Sequence, residues 1–328
     1  MTVEVVALDP HRAGPADLAE YVRIRRTSAD PADGALDHDS VVTRMRNPFP
    51  GLGDAGYRLV RVGGEAVGLV YLRYPEDENR HLVLAEVVVQ PDRRRRGIGT
   101  AALRALLPEL RACGRRVIEG WLVVEDSAGD RWAKSLGFRT VRSVTRMGLD
   151  FACADRSRWD VAPPAGYRLE RWVGAAPERL LASYAEARSA IHDAPTGQTE
   201  FRQPDWTPER VRAAEEEDRA KGVEQRVVVA LRGDTVVGLT EVVRVPHRRD
   251  EYYQGDTAVL AAHRGRRIGL WLKGAMARWL VAERPEPTRV TTATGSDNEH
   301  MIRVNRELGF HVVNTQLVIA HDVEALSR

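Results

Sequence analysis

Apolar residues recur along this chain with two periods, and each period indicates one type of element. Alternation of apolar and polar residues predicts strands, and apolar residues three or four positions apart predict helices. In the first half the pattern predicts strands at 3–8, 57–62, 66–73, 81–89, 116–123 and 138–150, with helices at 15–27, 37–46, 97–111 and 127–135. In the second half it predicts strands at 167–172, 224–232, 235–245, 251–260, 288–294 and 311–320, with helices at 176–190, 208–220, 268–282 and 298–308. The same order of elements therefore occurs twice.

The duplication extends to single residues. Arg94 and Arg264 stand 170 residues apart, and the hairpin glycines Gly63 and Gly233 keep the same spacing. A chain of 328 residues exceeds the usual size of one domain, so two domains are expected. The boundary is best placed where prolines interrupt regular structure. We therefore expect a first domain at 1–151, a linker at 152–166 and a second domain at 167–328.

Each half contains an apolar strand, then an Arg-rich loop, then glycines that open a helix. The first turn of a helix has unbonded N–H groups and a partial positive charge, and glycine lets an anion approach them closely. Arginine adds planar donors that suit phosphate oxygens. The pattern indicates a phosphate site, although a run of four arginines at 93–96 is also typical of a solvated surface. Pro108 lies inside the first of these helices, so we expect its last turn to be kinked or separate.

Two motifs in the same order, found twice, resemble the GNAT acyltransferase superfamily. Arg94-x-x-Gly97-x-Gly99 is similar to the family's acetyl-CoA loop, and Leu136-Gly137-Phe138 to the end of its distal helix. The second half repeats both motifs, at 264–269 and 308–310. The resemblance covers nearly the whole chain. It implies an α/β fold with two tandem GNAT-like domains, each a mixed, mostly antiparallel sheet flanked by helices.

The resemblance also implies a set of residues that bind acetyl-CoA or another acyl-CoA. In the first half these are Val87, Val88, Val89, Arg94, Arg95, Arg96, Gly97, Ile98, Gly99 and Thr100. In the second half they are Thr257, Ala258, Val259, Arg264, Gly265, Arg266, Arg267, Ile268, Gly269 and Asn298. Arg267 departs from the family pattern, because it replaces the first glycine; it can still offer its N–H if its φ stays negative. Asn298 matches an asparagine that contacts the pantetheine arm in the family, and the first half has no such residue.

Acyl transfer to an amine needs a base, a donor for the developing oxyanion and an acid for the thiolate. Glu86 lies on the strand before the first loop, where the family often places a base, and Asp256 is its counterpart. Burial in this apolar context would raise the pKa of either carboxyl toward a useful range. The alternative is an edge-strand charge or a salt bridge to a nearby arginine. The oxyanion donor is expected to be a backbone N–H around Val88 or Val89.

The acid has no evident candidate. Where the family often has a tyrosine, this chain has Ala133 and Asn305, so either water or another residue protonates the thiolate, or one half is inactive. Around the second site, His192 either binds the amine or is merely exposed. Of Tyr252 and Tyr253, alternation places one toward the site and the other toward the core.

Composition excludes several classes of protein. The net charge is +2 and the Arg run lacks interleaved aromatic residues, so we expect no nucleic-acid partner. Lysine occurs only three times. Two cysteines, Cys113 and Cys153, imply neither a disulfide framework nor a zinc site and fit a reducing cytoplasm. The cysteine count thus predicts no metal and a cytoplasmic location. No apolar run approaches the length of a membrane span, so we expect no membrane partner.

The sequence therefore predicts an N-acetyltransferase that moves an acyl group from acyl-CoA to a primary amine of a small molecule or peptide, by direct attack in a ternary complex. The alternative keeps the fold without the chemistry: an acyl-CoA-binding module in which one or both domains are inactive. The amine itself and the oligomeric state are left open.

Overall fold

The computed structural model describes residues 2–29, 36–283 and 288–327. The chain folds into two compact units. The first comprises Met1–Arg142, Gln198–Arg202 and Gln316–Arg328, and the second comprises Ser143–Gly197 and Gln203–Thr315.

The first unit is a mixed sheet with helices on both faces. Its strands are β1 (Val3–Leu8), β2 (Asp54–Val62), β3 (Glu65–Tyr74), β4 (Leu82–Val89) and β5 (Val117–Val124), and its helices are α1 (Pro15–Thr27), α2 (His38–Arg46), α3 (Ile98–Ala112) and α4 (Ala128–Ser135). Neighbouring strands from β1 to β4 are antiparallel, and β4 and β5 are parallel. Helices α1 and α2 cover one face with a core around Tyr21 and Ile24. Helices α3 and α4 cover the other face with a core around Leu103 and Leu106.

The second unit repeats this arrangement. Its strands include β7 (Arg168–Val173), β8 (Glu224–Arg232), β9 (Thr235–Arg244), β10 (Glu251–Val259) and β11 (Arg289–Gly295), and its helices are α5 (Leu181–Ser189), α6 (Pro208–Ala220), α7 (Ile268–Glu283) and α8 (Glu299–Glu307). β10 and β11 are parallel, and the pairs from β7 to β10 are antiparallel. The core between α5 and the sheet contains Leu180 and Tyr184, and the core under α7 contains Leu272 and Met276.

The last strand of each repeat pairs in the unit of the other repeat. Strand β6 (Arg139–Asp150) runs antiparallel to β11, and β12 (His311–Asp322) runs antiparallel to β5. The compact units therefore do not follow the order of the sequence, and the domain limits drawn from the sequence stay a prediction about the two repeats.

The predicted fold class and the predicted order of elements are confirmed. Two details of the helices differ. Helix α3 continues through Pro108 to Ala112, so its last turn is not separate. The helix predicted at 176–190 begins as a 3-10 turn, Glu178–Leu180, and the chain forms a second one, Ala190–Asp193, after α5.

Lys273 is a charged residue type in an apolar core. It lies on α7, is 4% exposed, and its Nζ lies 5.2 Å from the ring centre of Phe310. Burial lowers the pKa of Lys273 to about 7. The adjoining cavity is about 10 Å³ and is lined by apolar residues and Gln254, so it has no room for more than about one water molecule. Lys273 is therefore a cost to stability rather than part of an open site.

Replacing Lys273 by Met should stabilise the protein. An ordinary lysine has a pKa of 10.5, and in the fold this value is about 7, so the penalty is complete below pH 7 and disappears as pH rises toward 10.5. The gain from Lys273→Met should be about 3–5 kcal/mol at most at pH 6 and near zero around pH 10. Denaturant unfolding at several pH values measures it. Lys221→Met, which removes an ion pair with Glu217, is the control without this gain. A gain that does not change with pH would contradict a buried neutral amine.

Candidate active site

In each unit two parallel strands pair briefly and then diverge. β4 and β5 pair only from Leu82–Val117 to Leu84–Glu119, and β10 and β11 pair only from Glu251–Arg289 to Tyr253–Thr291. Beyond these pairs each sheet opens into a cleft. The Arg-rich loop follows β4 or β10 at the open end of the cleft, so the loop that was predicted to bind phosphate lies beside it.

The two loops have the same backbone conformation. Arg95 and Gly97 are left-handed in the first loop, with φ of +63° and +75°, and Gly265 and Arg267 are left-handed in the second, with φ of +75° and +61°. Arginine and glycine are thus exchanged between the two loops, because Arg95 corresponds to Gly265 and Gly97 corresponds to Arg267. The condition stated for Arg267, a negative φ, is not met, because Arg267 adopts the conformation that glycine adopts in the first loop. An L-residue there costs about 1–2 kcal/mol.

The arginine that begins each motif is held in the same way. Arg94 Nε donates to the Val89 carbonyl at 2.9 Å, and Arg264 Nε donates to the Val259 carbonyl at 2.9 Å. Arg264 also pairs with Asp193 at 2.5 Å. These contacts close each loop back onto its strand just before the helix that follows.

The first turns of α3 and α7 differ in what lies over them. A Cβ added at Gly99 would lie 3.5 Å from the ring of Trp132, whose indole N–H donates to Thr100 at 3.1 Å. A Cβ added at Gly269 would meet nothing within 4 Å. The second helix therefore has more open space over its first turn than the first helix has.

Asn298 lies at the start of α8, as expected, and acts as its N-cap. Its Oδ1 accepts from the Met301 N–H at 3.1 Å. Because the cap uses the oxygen, only the amide nitrogen of Asn298 is left to donate to a pantetheine arm. The first unit has Ser127 as the corresponding cap, with its hydroxyl accepting from the Asp130 N–H.

Glu86 is the candidate base of the first unit, and it is paired with a cation. Its Oε1 lies 2.6 Å from Nη1 of Arg25 on α1, and its side chain is 43% exposed. Burial alone would raise the pKa of Glu86, but the charge and hydrogen bond of Arg25 outweigh it and lower that pKa below its ordinary value. The expected rise in pKa is therefore wrong for Glu86, which matches the alternative of a salt bridge.

Asp256 is the candidate base of the second unit, and a β-bulge positions it. Gln254 pairs with Val242 and Thr257 with Thr240, so Gly255 and Asp256 both lie opposite Glu241. A Cβ on Gly255 would lie 2.9 Å from Glu241 Oε1, which explains the glycine. Strand β4 pairs with β3 without such a bulge. The extra residue turns Asp256 to the face of Glu241, away from the α7 core that contains Gln254.

The surroundings of Asp256 favour its protonated form. Burial and the neighbouring Glu241 carboxylate raise its pKa to about 7, and Arg188 and His192 oppose this only in part. Arg188 is already engaged, since its Nη2 lies 3.4 Å from Glu241 Oε1 with both side chains under 10% exposed. The expected rise in pKa is therefore found for Asp256. A carboxyl that titrates near neutral pH suits a general base.

A segment of the second repeat covers the first cleft at its closed end. Thr199 Oγ1 donates to both oxygens of Glu119, at 2.8 and 2.9 Å, and the Glu200 N–H donates to Glu119 at 3.1 Å. Glu119 is fully buried and is the last residue of β5 that pairs with β4. Asn79 exchanges two hydrogen bonds with the backbone of Arg202, at 2.8 and 2.9 Å. We call residues 198–202 the strap.

The strap also forms one wall of an open cavity of about 590 Å³. Its lining residues are Glu78, His81, Arg116, Thr199, Glu200 and Arg202. His81 precedes β4 and Arg116 precedes β5, so this cavity lies at the opposite ends of the strands from the Arg-rich loop. It is therefore separate from the predicted acyl-CoA site.

The positions expected to lack an acid do lack one. Ala133 and Asn305 are both buried, and the Asn305 amide lies 3.7 Å from the Met147 sulfur. Of the two tyrosines, Tyr252 is fully buried and bonded to Glu224, and Tyr253 is 44% exposed. Tyr253 is therefore the one on the open side.

Sequence reasoning missed Arg188 and Glu241, which determine the charge around Asp256. Neither residue lies in a motif. The one signal in the sequence is the spacing of Arg188, which stands one helical turn before His192. Among the described residues no group of three or more His, Cys, Asp or Glu could hold a metal, and no helix has the length and apolarity to cross a membrane. Cys113 and Cys153 are both exposed and unpaired with each other.

Known proteins resemble this chain in sequence and in fold. The Acetyltransferase (GNAT) family matches residues 26–138 and 190–310. Mycothiol acetyltransferase of Nocardia farcinica is 29% identical over 185 residues, which are 56% of this chain and 57% of that protein, so the match spans little over half of the relative. Mycothiol acetyltransferase of Rhodococcus erythropolis is 35% identical over 133 residues, 40% of this chain and 42% of that protein.

Two solved structures resemble nearly the whole chain. A tandem GNAT protein from the clavulanic acid biosynthesis pathway has a TM-score of 0.78 at 23% identity and covers 98% of this chain and 99% of its own. A GCN5-related N-acetyltransferase from Sphaerobacter thermophilus has a TM-score of 0.70 at 18% identity, with 98% and 96% coverage. At these identities the likeness concerns the fold. The family match, found twice along the chain, carries the assignment: this protein belongs to the GNAT acetyltransferase family, as a tandem of two GNAT segments.

Proposed function

We propose that this protein transfers an acyl group from acetyl-CoA or another acyl-CoA to a primary amine, and that the second unit performs the chemistry with Asp256 as general base. The observation that carries this proposal is the position of Asp256. It lies on a bulge at the diverging strands, a few residues before a phosphate-type loop, and burial and Glu241 give it a pKa of about 7.

The residues present fit an acyl-CoA. The left-handed positions at Gly265 and Arg267 direct the loop toward the start of α7, and the space over Gly269 is open. The loop and the first turn of α7 would hold the pyrophosphate, and the Asn298 amide would donate to the pantetheine arm. When bound, acyl-CoA supplies the activated acyl group.

The remaining steps belong to the chain's own groups. The carboxylate of Asp256 accepts a proton from the acceptor ammonium and so provides the neutral amine that attacks. Glu241 raises the pKa of Asp256 and so favours this transfer, and the charge of Glu241 is itself balanced by Arg188 at 3.4 Å. A backbone N–H of the bulged strand is the candidate donor to the developing oxyanion. The C–S bond breaks as the C–N bond is completed, the second proton of the amine leaves to solvent, and solvent protonates the departing thiolate, since Ala133 and Asn305 offer no acid.

The side chains of the first unit favour a second candidate function for that unit, which is acyl-CoA binding without turnover. Glu86 is neutralised by Arg25 at 2.6 Å and is a weak base. The strap lies over the closed end of the cleft, on the face of β5 that presents Glu119. The loop conformation is nevertheless intact, which supports cofactor binding there. A cytoplasmic location stays a prediction.

Gly97→Trp should remove acyl-CoA binding from the first unit only. A side chain at Gly97 points into open space over the loop, where a bound pyrophosphate would lie. Calorimetry with acetyl-CoA should give two sites per chain for the wild type and one for the variant. Gly64→Trp is the matched control, since Gly64 also has a positive φ and open space but lies in the β2–β3 hairpin. Unchanged stoichiometry in Gly97→Trp would mean that the loop is not the site.

Asp256→Asn and Glu86→Gln should have very different effects on turnover. Loss of a general base costs about 10²–10⁴-fold, so Asp256→Asn should fall by at least a hundredfold. Glu86→Gln should fall by less than about threefold, because its carboxylate is already paired. Initial rates on an accepted amine, with circular dichroism as a check of folding, measure both. Equal losses would place the chemistry in both units or in neither.

The rate should also depend on pH through Asp256. Because its deprotonated form is the base, kcat/KM should rise with pH and level off above about 7, and Asp256→Asn should lose this rise. Because positions 133 and 305 hold alanine and asparagine rather than tyrosine, no fall in kcat/KM is expected below about pH 9.5. A descending limb well below that value, in folded protein, would reveal an acid elsewhere.

A further inference from the structure

The open cavity of about 590 Å³ beside the strap has no part in the proposed acyl transfer. It lies where β4 and β5 begin, at the opposite ends of these strands from the Arg-rich loop, and its six lining residues all belong to the first unit. Every lining residue has a polar or charged side chain, and a volume of this size is within the range of small-molecule sites. A ligand of this cavity is therefore small and highly polar.

Two arginines line this cavity from fixed backbone positions. The Arg116 N–H donates to the His81 carbonyl at 2.8 Å, and the Arg116 carbonyl accepts from the Val323 N–H at 2.8 Å. The Arg202 N–H donates to Asn79 Oδ1 at 2.8 Å, and the Arg202 carbonyl accepts from Asn79 Nδ2 at 2.9 Å. These bonds fix the backbone from which each guanidinium reaches the cavity, one at the start of β5 and one on the strap.

Neither of these guanidinium groups is used within the described part of the chain. There, the side chains of Arg116 and Arg202 have no hydrogen bond and no ion pair. The adjacent Arg115 differs, because its guanidinium donates to three backbone carbonyls and to Glu76 at 2.6–3.1 Å. A guanidinium has five N–H donors in a planar fork that suits the oxygens of an anion. The cavity therefore presents two unoccupied forks.

The other lining side chains are already engaged. Glu200 pairs with His81, with Oε2 and Nε2 3.2 Å apart, and Glu78 has a polar interaction of its own within the fold. The Thr199 hydroxyl donates to both oxygens of Glu119. With a neutral histidine, the formal charges of two arginines and two glutamates cancel, so the cavity has no excess charge that would attract an anion from a distance. A ligand is selected instead by short-range hydrogen bonds to the two unused guanidinium groups.

We infer that this cavity is a binding site for a small organic dianion, whose two anionic groups bind Arg116 and Arg202. Each group accepts charge-assisted hydrogen bonds from one guanidinium, and the ligand joins the strap to the start of β5. A ligand with an ammonium in place of its second anionic group would leave one guanidinium facing a cation. Acyl transfer is not required for this binding, because the Arg-rich loop and the diverging strands lie away from the cavity.

Calorimetry with four short acids tests the requirement for two anionic groups. Succinate and glutarate are dianions with different spacings, n-butyrate has one carboxylate, and 4-aminobutanoate adds an ammonium. Coenzyme A is present throughout, so that it competes for the Arg-rich loops. The better of the two dianions should bind at least about tenfold more tightly than n-butyrate, and 4-aminobutanoate no more tightly than n-butyrate. Equal affinities for all four acids, tightest binding of 4-aminobutanoate, or a Kd above about 20 mM for both dianions would overturn the inference.

Arg116→Gln and Arg202→Gln locate the site. Each should weaken the dianion about five- to tenfold and change n-butyrate by less than about twofold, because one carboxylate can still use the remaining guanidinium. Arg80→Gln is the matched control, since Arg80 stands between the lining residues Glu78 and His81 in the sequence but does not line the cavity. Circular dichroism checks that each variant is folded. Unchanged affinity in Arg116→Gln or Arg202→Gln, or an equal loss in Arg80→Gln, would overturn the inference.

Hydrogen exchange shows where the dianion binds. The Glu200 and Arg202 N–H groups of the strap donate to Glu119 and Asn79, so their exchange reports on opening of the strap. With the dianion at about ten times its Kd, exchange in the strap should slow about tenfold in the wild type and much less in Arg202→Gln. Slower exchange at the start of α3 or α7, with no change in the strap, would place the dianion at an Arg-rich loop and overturn the inference.

Discussion

A buried carboxylate, Glu241, distinguishes the surroundings of Asp256 in the second unit from those of Glu86 in the first. It lies under a β-bulge at Gly255, where an added Cβ would come within 2.9 Å of Glu241 Oε1, and this bulge turns Asp256 onto the same face. The charge of Glu241 disfavours the ionised form of Asp256, and the guanidinium of Arg188 compensates only in part. The backbone irregularity, the glycine, the arginine and the neutral-range titration of Asp256 all follow from this one arrangement.

The first unit has the same fold without that constraint. Its β4 strand is regular, Glu86 has a cation of its own, and the strap is fixed to the buried Glu119 by three hydrogen bonds. These differences involve few residues, and the loop and helix that suit a phosphate are unchanged. The two repeats thus share the conformation of the Arg-rich loop and differ in the side chains around Glu86 and Asp256.

The sequence predicted the elements and the loops well because these depend on local patterns. Periodicity located each strand and helix, and glycine and arginine identified the turns. It failed where the outcome depends on distant contacts. The pairing of β12 with β5, the strap on Glu119 and the Arg188–Glu241 pair join residues far apart in the chain. Burial of Glu86 and Asp256 looked alike from the sequence, and only Arg25 and Glu241 distinguish their pKa values.

The account depends on the different ionisation of these two carboxyls. The most direct measurement is a titration of the side-chain carboxyl groups by ¹³C NMR, with Asp256→Asn and Glu86→Gln used to assign the two resonances. We expect Asp256 to titrate near pH 7 and Glu86 below its ordinary pKa of 4.5. If Asp256 titrated near 4, as an exposed aspartate does, or if Glu86 were the group that titrates near neutral pH, catalysis by the second unit through Asp256 would be contradicted.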